Sequence, residues 1–296
     1  MSSQKTPAPS IVKAYDITVK SLKRHPALFL PFVIFLICDL ISLAALYLAP
    51  RAPFIKLFGP VIRTFWGERF LHYPLNFLLL PKLASLARMG VSIVFGSLLT
   101  GMAVAIMYNI YNHKRVIKLS EAFKLALKKY LYLFIVVAFF TLLFYFLLKF
   151  IPKGLLYYFI VGRHKQLLFL GINFWLGPFL LIVNFLLAIF IQSAFIYAIP
   201  LLIIENEKLL GAIWRSFILF IKLFIPTTIM VTLPMLFYVP IVILQHKNAF
   251  LVYRVFPEIV LLISVLNAAL SALVVDCMMT VSTTVLYLLH KENKVS

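Results

Sequence analysis

The chain has 296 residues, 64% hydrophobic and only 12% charged, where a soluble domain carries about 25% charged residues. Mean hydropathy is +1.04 and the apolar residues run in blocks, which excludes a water-soluble globule, because only lipid can receive so much apolar surface. The net charge is +19, but Lys and Arg lie between the blocks, so anionic lipid headgroups are the expected partner and nucleic acid is not.

Residues 1–9 read as a flexible polar N-terminus within a single integral membrane domain covering 1–296. Next comes an amphipathic segment. Ile11, Ala14, Tyr15, Thr18 and Leu22 make its apolar face, against Lys13, Lys20 and Arg24. The first apolar block begins near Ala27 and is too long for a cleavable signal segment, so it is expected to remain as an anchor. Six blocks are long enough to cross a bilayer, near 27–48, 89–111, 131–150, 175–204, 223–244 and 259–289. Between the first two, Pro50 to Arg88 reads as a long basic connection on the outer interface, with Trp66, Tyr73 and several prolines. The second span carries a small-residue face of Ser97, Gly101 and Ala105, the pattern of a packing seam.

Leu119 to Tyr130 is the clearest in-plane helix. Ser120 is placed to cap it, and Glu121 in its first turn suits the helix dipole. The fourth block is longer than one span needs, since Leu167 to Ile204 is apolar throughout; Gly177-Pro178 is a candidate break. A third amphipathic segment presents Leu210, Ile213, Trp214, Phe217 and Ile221 against Lys208, Arg215 and Lys222. The three amphipathic segments align without gaps. Ser21, Ala126 and Ser216 are equivalent, and Leu28-Phe29, Leu133-Phe134 and Leu223-Phe224 follow at the same offset. This predicts a threefold unit of amphipathic helix and two spans. The fold class is therefore all-α: a polytopic membrane bundle of about six transmembrane helices plus three interfacial helices. The modest Lys and Arg bias puts both termini and those three helices on the cytoplasmic side.

The segment Ala198-Ile199-Pro200-Leu201-Leu202-Ile203-Ile204-Glu205, followed by Leu210-Gly211-Ala212-Ile213-Trp214-Arg215-Ser216-Phe217, resembles the signature of prokaryotic six-span proteins of the YciC-like family and of glycerophosphoryl diester phosphodiesterase membrane domains. Ser120-Glu121-Ala122 and Tyr287 resemble further elements of that pattern, although Leu288-Leu289-His290 departs from its usual ending. The resemblance implies an integral protein of the cytoplasmic membrane of a prokaryote and little chemistry. No counterpart of the phosphodiesterase's soluble catalytic domain is visible.

No His-Glu-x-x-His, Cys-x-x-Cys or phosphate-loop motif occurs, so neither a metal nor a cofactor is expected. The informative residues are two acids inside spans, Asp39 and Asp276, each beside a cysteine, Cys38 or Cys277. A carboxylate in mid-membrane must face protein or water, or be neutralised. In the last span Ala268, Ala272, Asp276, Thr280 and Thr284 recur every four residues as a small and polar stripe. If Asp39 and Asp276 converge with Asn267, Thr280 and Thr284 around one polar cavity, a small transporter or channel is indicated. If each is tied locally, they are helix glue in a non-enzymatic structural, lipid-interacting or accessory protein, the first expectation from sequence. Glu205 and Arg215 are placed to form an interfacial clamp. A lipid-modifying enzyme at that surface would have only Glu205, Glu207, His113 and His290 to work with.

Overall fold

The computed structural model describes residues 10–161 and 172–295. The polar N-terminus, His164 and the Leu167 end of the fourth block lie outside the described residues. Every regular element among the described residues is helical, and the architecture is that of a multi-pass membrane protein. The chain order is α1 (Ile11–Arg24), α2 (Pro26–Tyr47), α3 (Ile55–Phe65), α4 (Asn76–His113), α5 (Leu119–Lys128) and α6 (Tyr130–Val161). There follow α7 (Ile172–Phe195), α8 (Ala198–Ile204), α9 (Leu209–Lys222), α10 (Phe224–Leu236), α11 (Val239–His246) and α12 (Ile259–Asn293). Five stretches are long and apolar enough to span a bilayer: α2, α4, Tyr130–Pro152 of α6, Phe179–Ile204 across α7 and α8, and α12. The pair α9 and α10 makes a sixth if counted as one bent span.

Four expectations change. The second span starts at Asn76 rather than Met89, so the connection between the first two spans is shorter than Pro50 to Arg88 and Arg88 belongs inside the bundle. Gly177-Pro178 does not break the fourth block; α7 runs through it, and the interruption falls at Ile196-Tyr197. The fifth span is divided at Phe237-Tyr238: α10 has 13 residues, about 20 Å at 1.5 Å per residue, short of a hydrocarbon core of about 30 Å. Ser120 lies within α5, whose N-cap is Lys118 with no side-chain cap, while Glu121 does occupy the first turn.

The three amphipathic helices gather in one hydrophobic cluster, at the end of the bundle where α4, α8 and α12 finish. Each leads directly into the next apolar helix, and between α9 and α10 the chain turns by 97°, the geometry of an in-plane helix entering a bilayer. The elbow residues Leu28, Leu133 and Leu223 are all buried, as their shared offset requires. The small residues match less evenly. Ala122 and Ala126 of α5 correspond to Ala212 and Ser216 of α9, all fully buried. In α1 the buried stripe is Ala14, Thr18 and Leu22, one position away from Ser21. The first unit thus keeps the elbow but rotates its helix by one residue. In α1, Ser10 accepts from the Lys13 amide at 3.4 Å, and Tyr15 donates to the Met230 carbonyl of α10 at 3.4 Å.

Gly101 explains how close the elbow of α5 and α6 approaches α4. A Cβ there would lie 2.8 Å from Leu133 Cδ1 and 3.5 Å from Ala126 Cβ. With Ser97 and Ala105 also buried, the small-residue face of α4 is a packing seam. Lipid removes the hydrophobic drive between spans, so this backbone approach supplies the contact.

A second hydrophobic cluster fills the opposite half of the bundle. It contains Leu43 of α2, Phe77 and Leu80 of α4, Ile241 of α11, and Val260 and Ile263 of α12. A smaller one seats α3 through Ile62 against Leu71 and Leu79. Three spans, α2, α4 and α12, pass from one main cluster into the other.

Candidate functional site: a charged trio at the junction of two cores

Each of the three spans shared by the two clusters carries one charged residue at the junction. In α2, Asp39 lies between Phe35 of one cluster and Leu43 of the other. In α4, Arg88 lies between Leu80 and Val91. In α12, Asp276 lies between Ile263 and Cys277, midway along the helix. Arg88 Nη1 is 3.4 Å from Asp39 Oδ2, and Arg88 Nη2 donates to Asp276 Oδ2 at 3.4 Å. The two intramembrane acids therefore converge on one cation. With all three groups ionised the trio holds one excess negative charge.

The backbone adapts at this level. Ser92–Gly96 of α4 and Ser271–Asp276 of α12 are wide π-type turns within otherwise α-helical spans. Such a turn inserts a residue into the ladder, re-aims the side chains beside it, and recurs at functional sites. One follows Arg88 by a single helical turn; the other ends on Asp276.

Both turns border a cavity of about 450 Å³, whose wall includes Arg88, Asp276, Ser92 and Ser271. Thr280 and Thr284 line it, as the stripe on the last span predicts, together with Thr100, Thr141 and Gln192 from other helices. The Thr284 hydroxyl donates to the Thr280 carbonyl at 2.7 Å, so it is satisfied within its helix and still offers acceptor lone pairs. Asp39 stands behind Arg88 and is not on the wall; its side chain is 7% exposed, against 33% for Asp276. Asn267 is a correction: it does not line the cavity. Its Oδ1 is buried with no hydrogen-bond partner among the described residues.

Arg88 is the residue that sequence reasoning missed. Pro74 and Pro81 made the stretch before Met89 read as a connection, yet Pro81 sits inside a continuous helix. The available signal was chemical. A cation is one way to neutralise two acids buried in spans, and Arg88 directly precedes an apolar block, as Lys222 also does.

A second polar cluster closes the end of the bundle that holds the amphipathic helices. Glu205 follows α8, and its Oε2 accepts from Arg215 Nη1 of α9 at 2.8 Å. Arg215 also binds Glu207, Tyr287 of α12 donates to Glu205, and Lys291 lies 3.3 Å from it. Burial pushes the Glu205 carboxyl up, but the Tyr287 hydrogen bond and the Arg215 and Lys291 charges outweigh it and hold the group below the usual carboxylate range. Nearby, the fully buried Tyr197 and Thr227 hydroxyls are 2.5 Å apart, and the Tyr111 hydroxyl donates to Glu292 at 2.7 Å. His113 and His290 add no cluster: among the described residues no three His, Cys, Asp or Glu side chains gather as a metal-binding group. Cys38 and Cys277 are free thiols. Comparisons with protein-family models, curated proteins and solved structures find no match to the chain.

Proposed function

We propose that this protein is a small-solute transporter in which the Asp39–Arg88–Asp276 trio couples occupancy of the central cavity to the binding of a proton or cation. The observation that carries the reading is the trio itself, which sits at the junction of two packed cores and reaches a hydroxyl-bearing cavity through Arg88 and Asp276. Charges at this depth are costly, and proteins keep them there mainly on ion or substrate paths. The trio has two acids to one base, and one of those acids borders an accessible space.

In the same proposal the chain sits in the cytoplasmic membrane of a prokaryote with both termini inside. Its basic in-plane helices then rest on anionic headgroups. Kinship with YciC-like and phosphodiesterase membrane domains rests on residues 198–217 and belongs to this proposal as well. The reading assigns no catalytic step.

The test is flux. Wild-type protein is reconstituted in sealed vesicles holding a pH-sensitive dye, and a small-molecule extract is added outside. Proton movement is expected in wild type and lost in Asp276→Asn. Equal traces from wild type, Asp276→Asn and protein-free vesicles would refute transport and return the trio to a structural role.

A further inference from the structure

We infer that the cavity selects an organic monocation with an apolar body, bound with its charge at Asp276 and its body against the phenylalanine wall. This rests on the cavity being the transport site and adds the class of ligand.

Three observations converge. First, the trio has two acids to one base, and the acid that reaches the cavity wall, Asp276, stands there beside Arg88. Arg88 serves both acids, but Asp39 is shut away behind it, while a third of the Asp276 side chain remains open. A cation in the cavity can pair with Asp276 while Arg88 stays with Asp39; an anion that drew Arg88 away would leave both acids without their shared partner. Second, the wall is aromatic. Phe32, Phe35, Phe140, Phe144 and Phe195 all line the space, and the Phe140 and Phe195 rings stack with centroids 4.2 Å apart. Third, the wall already holds a positive charge against a ring face: the Arg88 guanidinium lies 5.8 Å from the Phe35 centroid. Ring faces attract cations most where water is excluded, so the environment that seats Arg88 also favours an ammonium or guanidinium head. A volume of about 450 Å³ lies within the range of small-molecule sites. The ligand head competes with Arg88 for Asp276, and Asp39 keeps Arg88 paired when Asp276 is taken.

The matched probes are benzyltrimethylammonium, its uncharged carbon isostere neopentylbenzene, and benzenesulfonate. Binding is measured by calorimetry to the protein in nanodiscs of zwitterionic lipid, with empty nanodiscs subtracted. The cation should bind at least about tenfold more tightly than the isostere, and benzenesulfonate should not bind. Asp276→Asn should weaken the cation by about tenfold and leave the isostere unchanged. Phe35→Leu keeps an apolar wall without a ring face, and should weaken the cation by about threefold or more. The inference is overturned if the isostere binds as tightly as the cation, which marks a lipid-filled apolar space, if no probe binds, or if both variants keep wild-type cation affinity. Cation binding without proton flux would remove the transport reading and leave this one standing. Flux that depends on Asp276 without cation binding would do the reverse.

Discussion

Replacing Arg88 by Met tests whether the trio is a balanced unit. Met is close to Arg in volume, though it stops short of the guanidinium, so the change removes charge with little loss of volume. Each of its carboxylate contacts is 3.4 Å long. At that distance and an effective dielectric of about 20, one contact is worth about 5 kcal/mol before desolvation. Desolvation offsets most of this, so the useful quantity is the cost of breaking the unit, about 3–5 kcal/mol when one partner of a buried pair is removed. Here the loss leaves two acids without their shared cation, so Arg88→Met should fall at the upper end. Asp39→Asn leaves Arg88 paired with Asp276, so it should cost less than Arg88→Met. The triple variant Asp39→Asn, Arg88→Met and Asp276→Asn has no charge to strand. It should recover most of what Arg88→Met alone loses, a non-additivity expected only of groups that act together. Unfolding in a mixed detergent titration, followed by far-UV circular dichroism, ranks the four proteins. A triple variant no more stable than Arg88→Met would refute the reasoning, as would an Arg88→Met protein that matches wild type.

Three further outcomes follow from other parts of the molecule. Gly101→Leu forces a side chain into the Leu133 and Ala126 contact and should destabilise by about 1–3 kcal/mol in the same titration, with Gly101→Ala milder; equal stability of Gly101→Leu and wild type would remove the close-approach argument. Leu28→Ala, Leu133→Ala and Leu223→Ala should each cost about 2–5 kcal/mol if the three elbows are equivalent, and one elbow that tolerates the change would break the repeat at that unit. Glu205 titrates below an ordinary carboxylate in the folded protein, so its contribution is complete above the unfolded value of about 4.3 and is lost as pH falls through the lowered folded value. Glu205→Gln should therefore lower stability at neutral pH and narrow the gap to wild type in acid; a gap independent of pH would contradict it.

The class of fold was legible because its signals are local. Blocks of about 20 apolar residues and helical spacing in the basic segments require no knowledge of which helix meets which. Asp39 and Asp276 stood out for the same reason, being charges in the wrong solvent. Their meeting was only a conditional reading, since it depends on packing among α2, α4 and α12. Arg88 was hidden by a rule that usually works. Proline commonly ends helices in water, but Pro81 is held within α4 by its neighbours, so a helix was read as a loop. Asn267 differs in the opposite way: it shares a span with Asp276, but it sits on the other side of the Ser271–Asp276 turn and off the cavity wall.

The two wide turns also set the rotational phase of the helices that contain them. A residue of helix subtends about 100°, so one inserted residue swings everything after it by roughly that angle. On α4 the swing lets Phe77 and Leu80 serve one core while Met102 and Ile106 serve another. Deleting a single residue from Ser92–Gly96 would make the hydrogen-bond ladder more regular and the protein worse. The cost would fall on angular registry, since a straightened α4 can aim Arg88 at the acids or its far half at the amphipathic helices, but not both.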